Sequence, residues 1–298
     1  MRPVFEWNIG TRVLKLGKTT LIMGVVNVTP DSFSDGGQFF DREKAVAHGL
    51  QLLDDGADII DVGGESTRPG AKVNAPGGKK GEPVRAVPEK EELERVIPVI
   101  KELKQKRPGC IVSVDTYKAN VARAAIEAGA EIVNDVSAFR WDPKMAKTVA
   151  ALNCGTVLMH SRGRPEEWRT QASVADIVVL VKRELREWAD AASNAGVKRE
   201  RIVVDPGFGF GKNFEENHPM LRRLEEFHQL RYPLLAGVSR KSFVGRMIAR
   251  SGKDAALGER TYGSVATETV AILKGVHIIR THEVRACRDA ARVADVVA

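Results

Sequence analysis

The sequence predicts a single (β/α)8 barrel with a short N-terminal cap segment and long loops after its first two barrel strands. Three observations predict it. Short β-branched apolar runs alternate with longer amphipathic stretches. The alternation repeats about eight times along a chain of 298 residues, the size of one such barrel. The polar residues of the apolar runs gather at their C-terminal ends.

The strands are expected at Leu21–Val28, Ile59–Val62, Ile111–Asp115, Ile132–Val136, Thr156–His160, Ile202–Asp205, Leu234–Val238 and Val276–Arg280. Each is short and nearly continuously apolar, as strands covered on both faces of a parallel sheet are. Helices are expected between them, among them Arg42–Asp55, Lys90–Gln105, Ala119–Ala128 and Val174–Ala195. In the last of these the apolar residues recur at helical spacing, and Asn194 and Gly196 mark the stop. An open doubly wound sheet is the alternative. It usually carries a G-x-G-x-x-G turn after its first strand, where this chain has Asn27-Val28-Thr29-Pro30-Asp31. The residues before Leu21 are expected to cap the bottom of the barrel. Residues 1–298 read as one domain with two long loops, Thr29–Phe40 and Gly63–Pro88.

Composition narrows the class. At 43% hydrophobic and 29% charged, the chain can bury a large core without staples. Cys110, Cys154 and Cys287 are far apart and form no C-x-x-C pair, so they read as small hydrophobes in a reducing compartment. No apolar h-region follows the N-terminal charges, and no apolar run approaches a membrane span. A cytoplasmic protein with no membrane partner is expected. The net charge of +7 comes from basic residues that are scattered and not interleaved with aromatics, so no nucleic-acid partner is expected.

The polar residues are more informative. Asn27 ends the first strand, and Gly63-Gly64-Glu65-Ser66-Thr67-Arg68 follows the second. Asp115 ends the third, Asn134 and Asp135 lie in the fourth, and His160 ends the fifth. Asp205 ends the sixth, Ser239-Arg240-Lys241 follows the seventh, and Arg280 with His282 closes the eighth. In a barrel these positions converge on one mouth, where active sites sit. Singly, each has a plainer reading. Asp115 or Thr116 could cap the next helix, Asp205 before Pro206-Gly207 could shape a turn, and His160 reads as a core histidine. Jointly, one polar rim is better explained by chemistry. The stretch Gly207–Lys212, GFGFGK, lacks phosphate-loop spacing. No H-x-x-H, cysteine cluster or G-x-S-x-G points to zinc or to a serine hydrolase.

The motifs Met23–Gly37 (MGVVNVTPDSFSDGG), Gly63–Gly70 (GGESTRPG), Val114–Thr116, Asn134–Ser137, Leu158–His160, Asp205–Lys212, Gly237–Phe243 (GVSRKSF) and Arg280–Val284 stand in one order. This ordered set resembles that of the dihydropteroate synthases, over nearly the whole chain. The resemblance implies a transferase that joins p-aminobenzoate to a dihydropterin diphosphate, with Mg²⁺ as cofactor, sulfonamides as inhibitors and a homodimer packed through late helices. It implies pterin contacts from Asp115, Asn134, Met159, Asp205 and Lys241, and diphosphate contacts from Asn27, Arg280 and His282, with Asn27 also the Mg²⁺ ligand. It places Phe33, Ser34, Asp35, Thr67, Arg68, Pro69, Phe210, Ser239 and Arg240 near the p-aminobenzoate. It gives the catalytic roles to Asp35, Asp115, Lys241 and Arg280. The chemistry agrees with these types: a carboxylate accepts two parallel N–H groups, and a guanidinium grips phosphate oxygens. The stretch Ala71–Ala86 is longer than usual, and Ala138 stands where glycine often follows NDVS. A methyltetrahydrofolate methyltransferase barrel would share the Asp115, Asn134 and Asp205 contacts, but has no need of a diphosphate pocket.

Overall fold

The computed structural model of the protein describes residues 2–28, 38–65 and 86–297, without the side chains of residues 38–41. A hairpin of β1 (Phe5–Asn8) and β2 (Val13–Leu16) opens the chain, antiparallel, with Phe5 opposite Leu16. The barrel strands are β3 (Leu21–Asn27), β4 (Ile59–Gly63), β5 (Ile111–Asp115), β6 (Ile132–Asp135), β7 (Gly155–Met159), β8 (Ile202–Asp205), β9 (Leu235–Ala236) and β10 (Ile278–Thr281). The helices are α1 (Gln38–Asp54), α2 (Glu89–Lys106), α3 (Ala119–Glu127), α4 (Met145–Leu152), α5 (Ile177–Asn194), α6 (Phe214–Arg222), α7 (Ser242–Met247), α8 (Thr261–Leu273) and α9 (Val284–Val297).

The eight strands pair in parallel in the order β8-β7-β6-β5-β4-β3-β10-β9. A parallel bridge from Val204 on β8 to Leu234, just before β9, joins the two ends of the sheet. This is the TIM-barrel arrangement that the alternating pattern predicted. Only the third and sixth barrel strands keep the expected limits at both ends, and the eighth starts at Ile278 rather than Val276. The fifth barrel strand starts one residue earlier, at Gly155, where a Cβ would collide with the Ile9 side chain of the cap. The seventh keeps only Leu235–Ala236 in regular pairing. Helix α5 starts at Ile177 rather than Val174, because the Asp176 carboxylate accepts the N–H groups of Val178 and Val179 at 2.9 and 3.1 Å.

Side chains of a strand alternate between faces, and here the alternation sorts the molecule into two cores. Ile22, Val26, Ile60, Val62, Val112, Val114, Val133, Leu158, Ile202 and Val204 point outward and pack under the helices. Met23, Ile59, Ile111, Ile132, Val157, Val203, Leu235 and Ile278 point inward and fill the lower barrel. The hairpin plugs that lower end as expected: Trp7, Ile9 and Leu16 join the inner cluster, and Trp7 Nε1 donates to the Arg201 carbonyl at 2.9 Å. The upper half of the interior is left to the next inward residue of each strand.

Candidate active site

Moving two residues up each strand from the apolar layer reaches Asp61 on β4, Asn134 on β6, Met159 on β7, Asp205 on β8 and Arg280 on β10; β5 contributes Asp115 one step higher. Period-two geometry therefore turns them all into one cup. Arg280 Nε donates to Asp61 Oδ2 at 2.6 Å and its Nη2 donates to Asp115 Oδ2 at 2.7 Å. Asn134 Nδ2 donates to the same Asp61 Oδ2 at 3.0 Å. Of the five N–H groups of a guanidinium, Arg280 uses two on carboxylates and keeps its Nη1 hydrogens and one on Nη2. Asp205 Oδ1 accepts the Gly207 N–H at 2.7 Å. The plain reading of Asp205 as a turn former is thus correct for one of its two oxygens. Asp115 does not cap α3; Lys118 precedes that helix, and Ala119 N–H donates to Asp142 at 2.8 Å.

Burial sets the protonation states. It lifts Asp115 to about 7; Arg280 opposes that rise, while Asp61, Glu92 and Asp135 add to it. Burial lifts Asp205 to about 6 against the Gly207 hydrogen bond and the charges of Lys241, Lys212 and Arg280. The Lys241 ammonium is pushed down to about 7, first by burial and then by Arg280. The cup therefore holds groups able to exchange protons near neutrality, as functional sites do.

The segment Asp205–Lys212 forms one wall. Its positive-φ glycines are required by close packing: a Cβ on Gly207 would meet the His160 carbonyl, and one on Gly211 would meet Arg162. Lys212 is buried and donates to the carbonyls of His160, Gly207 and Phe210 at 3.2, 2.8 and 3.1 Å. The loop is thus wound around its own lysine, and that ammonium is committed to it. Lys241 Nζ lies 3.8 Å from the Phe210 ring centroid. Phe210 packs edge-on to Trp168 at 4.9 Å, and Met159, Tyr117, Val136 and Trp141 complete an apolar wall beside the polar floor.

On the rim, Ser239 Oγ accepts the His282 N–H at 3.2 Å and lies 3.2 Å from His282 Nδ1. Ser239 thus locks the turn after β9 to the turn after β10. His282 is pushed down to about 3 by burial and by Arg280, Arg240, Lys241 and His48, which favours the neutral imidazole as a hydrogen-bonding group. Arg240, at φ +58°, pairs with Glu283 at 2.5 Å and donates its N–H to Ser264 at 2.9 Å. Asn27 ends β3 opposite Gly63, whose register partner on β5 is Asp115. Phe33, Ser34, Asp35, Thr67, Arg68 and Pro69 lie outside the described residues, as does most of the stretch Ala71–Ala86.

The structure brings Asp115, Asn134, Met159, Asp205, Phe210, Lys241 and Arg280 together around one cup, with Asn27, Ser239, Arg240 and His282 on its rim. His160 is elsewhere: its ring is buried, stacked 4.9 Å from Trp188, with Nε2 2.9 Å from Glu184. Asp61 was missed by reading only strand ends. Its signal was a carboxylate inside the apolar run Ile59–Val62. A second missed group is a clasp beside the cup. Lys118 Nζ donates to Glu65 at 2.7 Å, to the Val87 carbonyl at 2.8 Å and to buried Glu92; Glu65 Oε1 accepts the Val87 N–H at 3.0 Å.

Comparison with known proteins gives this geometry a context. A family model described as pterin binding enzyme matches residues 23–282. The chain is 42% identical to a dihydropteroate synthase of Clostridium beijerinckii over 97% of this chain and 98% of that one. A Xanthomonas albilineans dihydropteroate synthase solved with 4-aminobenzoic acid superimposes with a TM-score of 0.86 at 42% identity, covering 99% of this chain and 98% of that one. A Yersinia pestis dihydropteroate synthase solved with a sulfonamide drug complex gives a TM-score of 0.86 at 35% identity, covering 98% and 99%.

Proposed function

The chain belongs to the dihydropteroate synthase family of pterin-binding enzymes, and from that premise we propose how its cup carries out the reaction. It condenses 6-hydroxymethyl-7,8-dihydropterin diphosphate with p-aminobenzoate, giving 7,8-dihydropteroate and pyrophosphate. The observation that carries the reading is the convergence of Asp61, Asp115, Asn134, Asp205 and Arg280 from five strands on one mouth, beside the apolar wall of Met159 and Phe210.

The free oxygen of Asp205 accepts from the 2-amino and N3–H edge of the pterin, and Lys241 donates to its carbonyl and ring nitrogen. Met159 packs on the flat face, suited by its soft thioether. The N–H groups that Arg280 keeps, with His282, face the diphosphate. Asn27 offers a hard oxygen at the end of β3, on the rim of the cup, which fits Mg²⁺, an ion that commonly keeps waters and binds through substrate phosphates. Among the described residues no cluster of His, Cys, Asp or Glu offers a fuller cage. When bound there, Mg²⁺ supplies charge neutralisation of the leaving diphosphate.

Substitution is dissociative in this proposal. The C–O bond breaks and pyrophosphate departs with the electron pair, while Arg280 steadies its charge. Asp115 and Asp205 favour the cation that spreads into the ring. The arylamine nitrogen then attacks and loses a proton. An arylamine is a weak nucleophile, so a preformed cation suits it better than direct displacement. Phe33, Ser34, Asp35, Thr67, Arg68 and Pro69 complete the p-aminobenzoate side with Phe210, Ser239 and Arg240, and sulfonamides compete there. Pterin binds first, p-aminobenzoate second. A homodimer across the α8 and α9 face accounts for the exposure of Tyr262, Val270, Leu273, Val293 and Val296. Placement in the cytoplasm belongs to the same reading; no described helix is long and apolar enough to cross a membrane.

The test is pyrophosphate release from the dihydropterin diphosphate with and without p-aminobenzoate, with product identified by mass. Formation of 7,8-dihydropteroate matched to pyrophosphate is expected; its absence overturns the reading.

A further inference from the structure

We propose that Asp61 is a positioning residue that couples Asn134 to Arg280, so that the two ends of one substrate are read by a single preorganised unit. The inference rests on the reaction assigned above. Asp61 sits on β4, two strands from β6, which bears Asn134, and two strands the other way from β10, which bears Arg280. One oxygen, Oδ2, reaches both, at 3.0 and 2.6 Å. A carboxylate only accepts, so the Asn134 amide must present an N–H to it. That fixes which way the amide faces, leaving its carbonyl oxygen and one N–H for a ligand. The Nε bond to Asp61 and the Nη2 bond to Asp115 hold the plane of the Arg280 guanidinium, leaving its outer edge for an anion.

Support of the fold is a poor account of this carboxylate. Asp61 is fully buried between Ile60 and Val62, its Oδ1 has no hydrogen-bond partner, and the hydroxyl of Ser113, its register neighbour on β5, has none either. A buried carboxylate with half its acceptors unused costs stability, and apolar residues in place of Asp61 and both its partners would hold the strands without that cost. What Asp61 supplies is orientation and a fixed negative charge under Arg280. That charge also acts on Asp115, which is faced by Arg280 from β10, Asp61 from β4, Glu92 from α2, Asp135 from β6 and Lys241 from the turn before α7.

Asp61→Asn and Asp61→Leu test the inference. By circular dichroism Asp61→Asn, which keeps an acceptor oxygen in place, is expected to melt near the wild-type temperature, and Asp61→Leu, which strands the Arg280 and Asn134 donors, to melt lower. Both should lose kcat/KM on the order of 100-fold, the scale of a misplaced reactive group. Calorimetric titration with 6-hydroxymethylpterin and with inorganic pyrophosphate, as separate probes, should show both affinities falling in one variant. In Asp61→Asn the acid limb of the kcat/KM profile should move to lower pH, because a like charge beside Asp115 is gone. A kcat/KM within threefold of wild type with an unmoved acid limb overturns the inference. So does a lowered melting temperature with unchanged activity per folded molecule, which marks a structural residue. If the wild type makes no 7,8-dihydropteroate, the assigned reaction fails instead, and the two calorimetric titrations still decide whether Asp61 couples the two halves of the cup.

Discussion

Asp205→Asn separates two jobs that one carboxylate holds. Asp205 Oδ1 accepts the Gly207 N–H at 2.7 Å, and an asparagine carbonyl oxygen in the same place keeps that turn. The other position then changes from acceptor to N–H donor, facing the donor edge of the pterin. One charge-assisted hydrogen bond is lost, worth about 1.5–3 kcal/mol, and one donor is left opposed in a dry site, costing about 1–3 kcal/mol more. A total of about 2.5–6 kcal/mol weakens pterin binding by roughly two to four decades. The assay is calorimetric titration with 6-hydroxymethylpterin, which carries no diphosphate to mask the loss. Circular dichroism should show a melting temperature at or above wild type. Asp205→Ala, which removes the turn bond as well, should be as weak in binding and less stable than Asp205→Asn. An affinity within about fivefold of wild type in a folded Asp205→Asn protein would refute the pterin contact and leave only the turn.

Three other outcomes are expected. Lys212→Met strands three carbonyls that the ammonium satisfies. A loss of about 3 kcal/mol or more should appear as a lower melting temperature together with a raised KM for the pterin substrate; a silent variant would show that the loop holds itself. Ala138 and Phe139 both stand at positive φ, +50° and +67°. Ala138→Gly should therefore stabilise the protein by about 0.5–1 kcal/mol, since left-handed backbone costs a side-chain-bearing residue about 1–2 kcal/mol, and denaturant titration checks it. The third concerns pH. Asp205 is lifted from 3.8 to about 6, so its carboxyl contributes stability fully present below its unfolded value and lost as pH rises through its folded one. The gain in melting temperature of ligand-free Asp205→Asn over wild type should thus be larger at about pH 8 than at about pH 5. A gain constant across that window would contradict the burial of a charged Asp205.

The barrel was legible because buried parallel strands leave a plain signal: apolar runs such as Ile111–Asp115 and Ile202–Asp205 keep the expected limits. The rim was legible for a related reason, since Asp115, Asp205 and Arg280 interrupt apolar runs near their ends. What stayed hidden depends on three-dimensional neighbours. Asp61 lies in mid-strand, and only the inward alternation with Ile59 shows that it reaches Arg280 and Asn134. The spacing around Lys212 excluded a phosphate loop, but nothing local reveals that its ammonium turns back onto Gly207 and Phe210. The start of α5 was misplaced because Val174 fits the helical period, whereas the boundary is set by the cap at Asp176.

The clasp of Lys118 with Glu65 and Val87 has a mechanical corollary. One ammonium joins the residues just after β4 and just before α2 to the start of α3, so two consecutive βα units share a single anchor. Removing that charge would strand the carboxylates of Glu65 and Glu92 and the Val87 carbonyl together, and the ends of β4 and α2 would loosen as one.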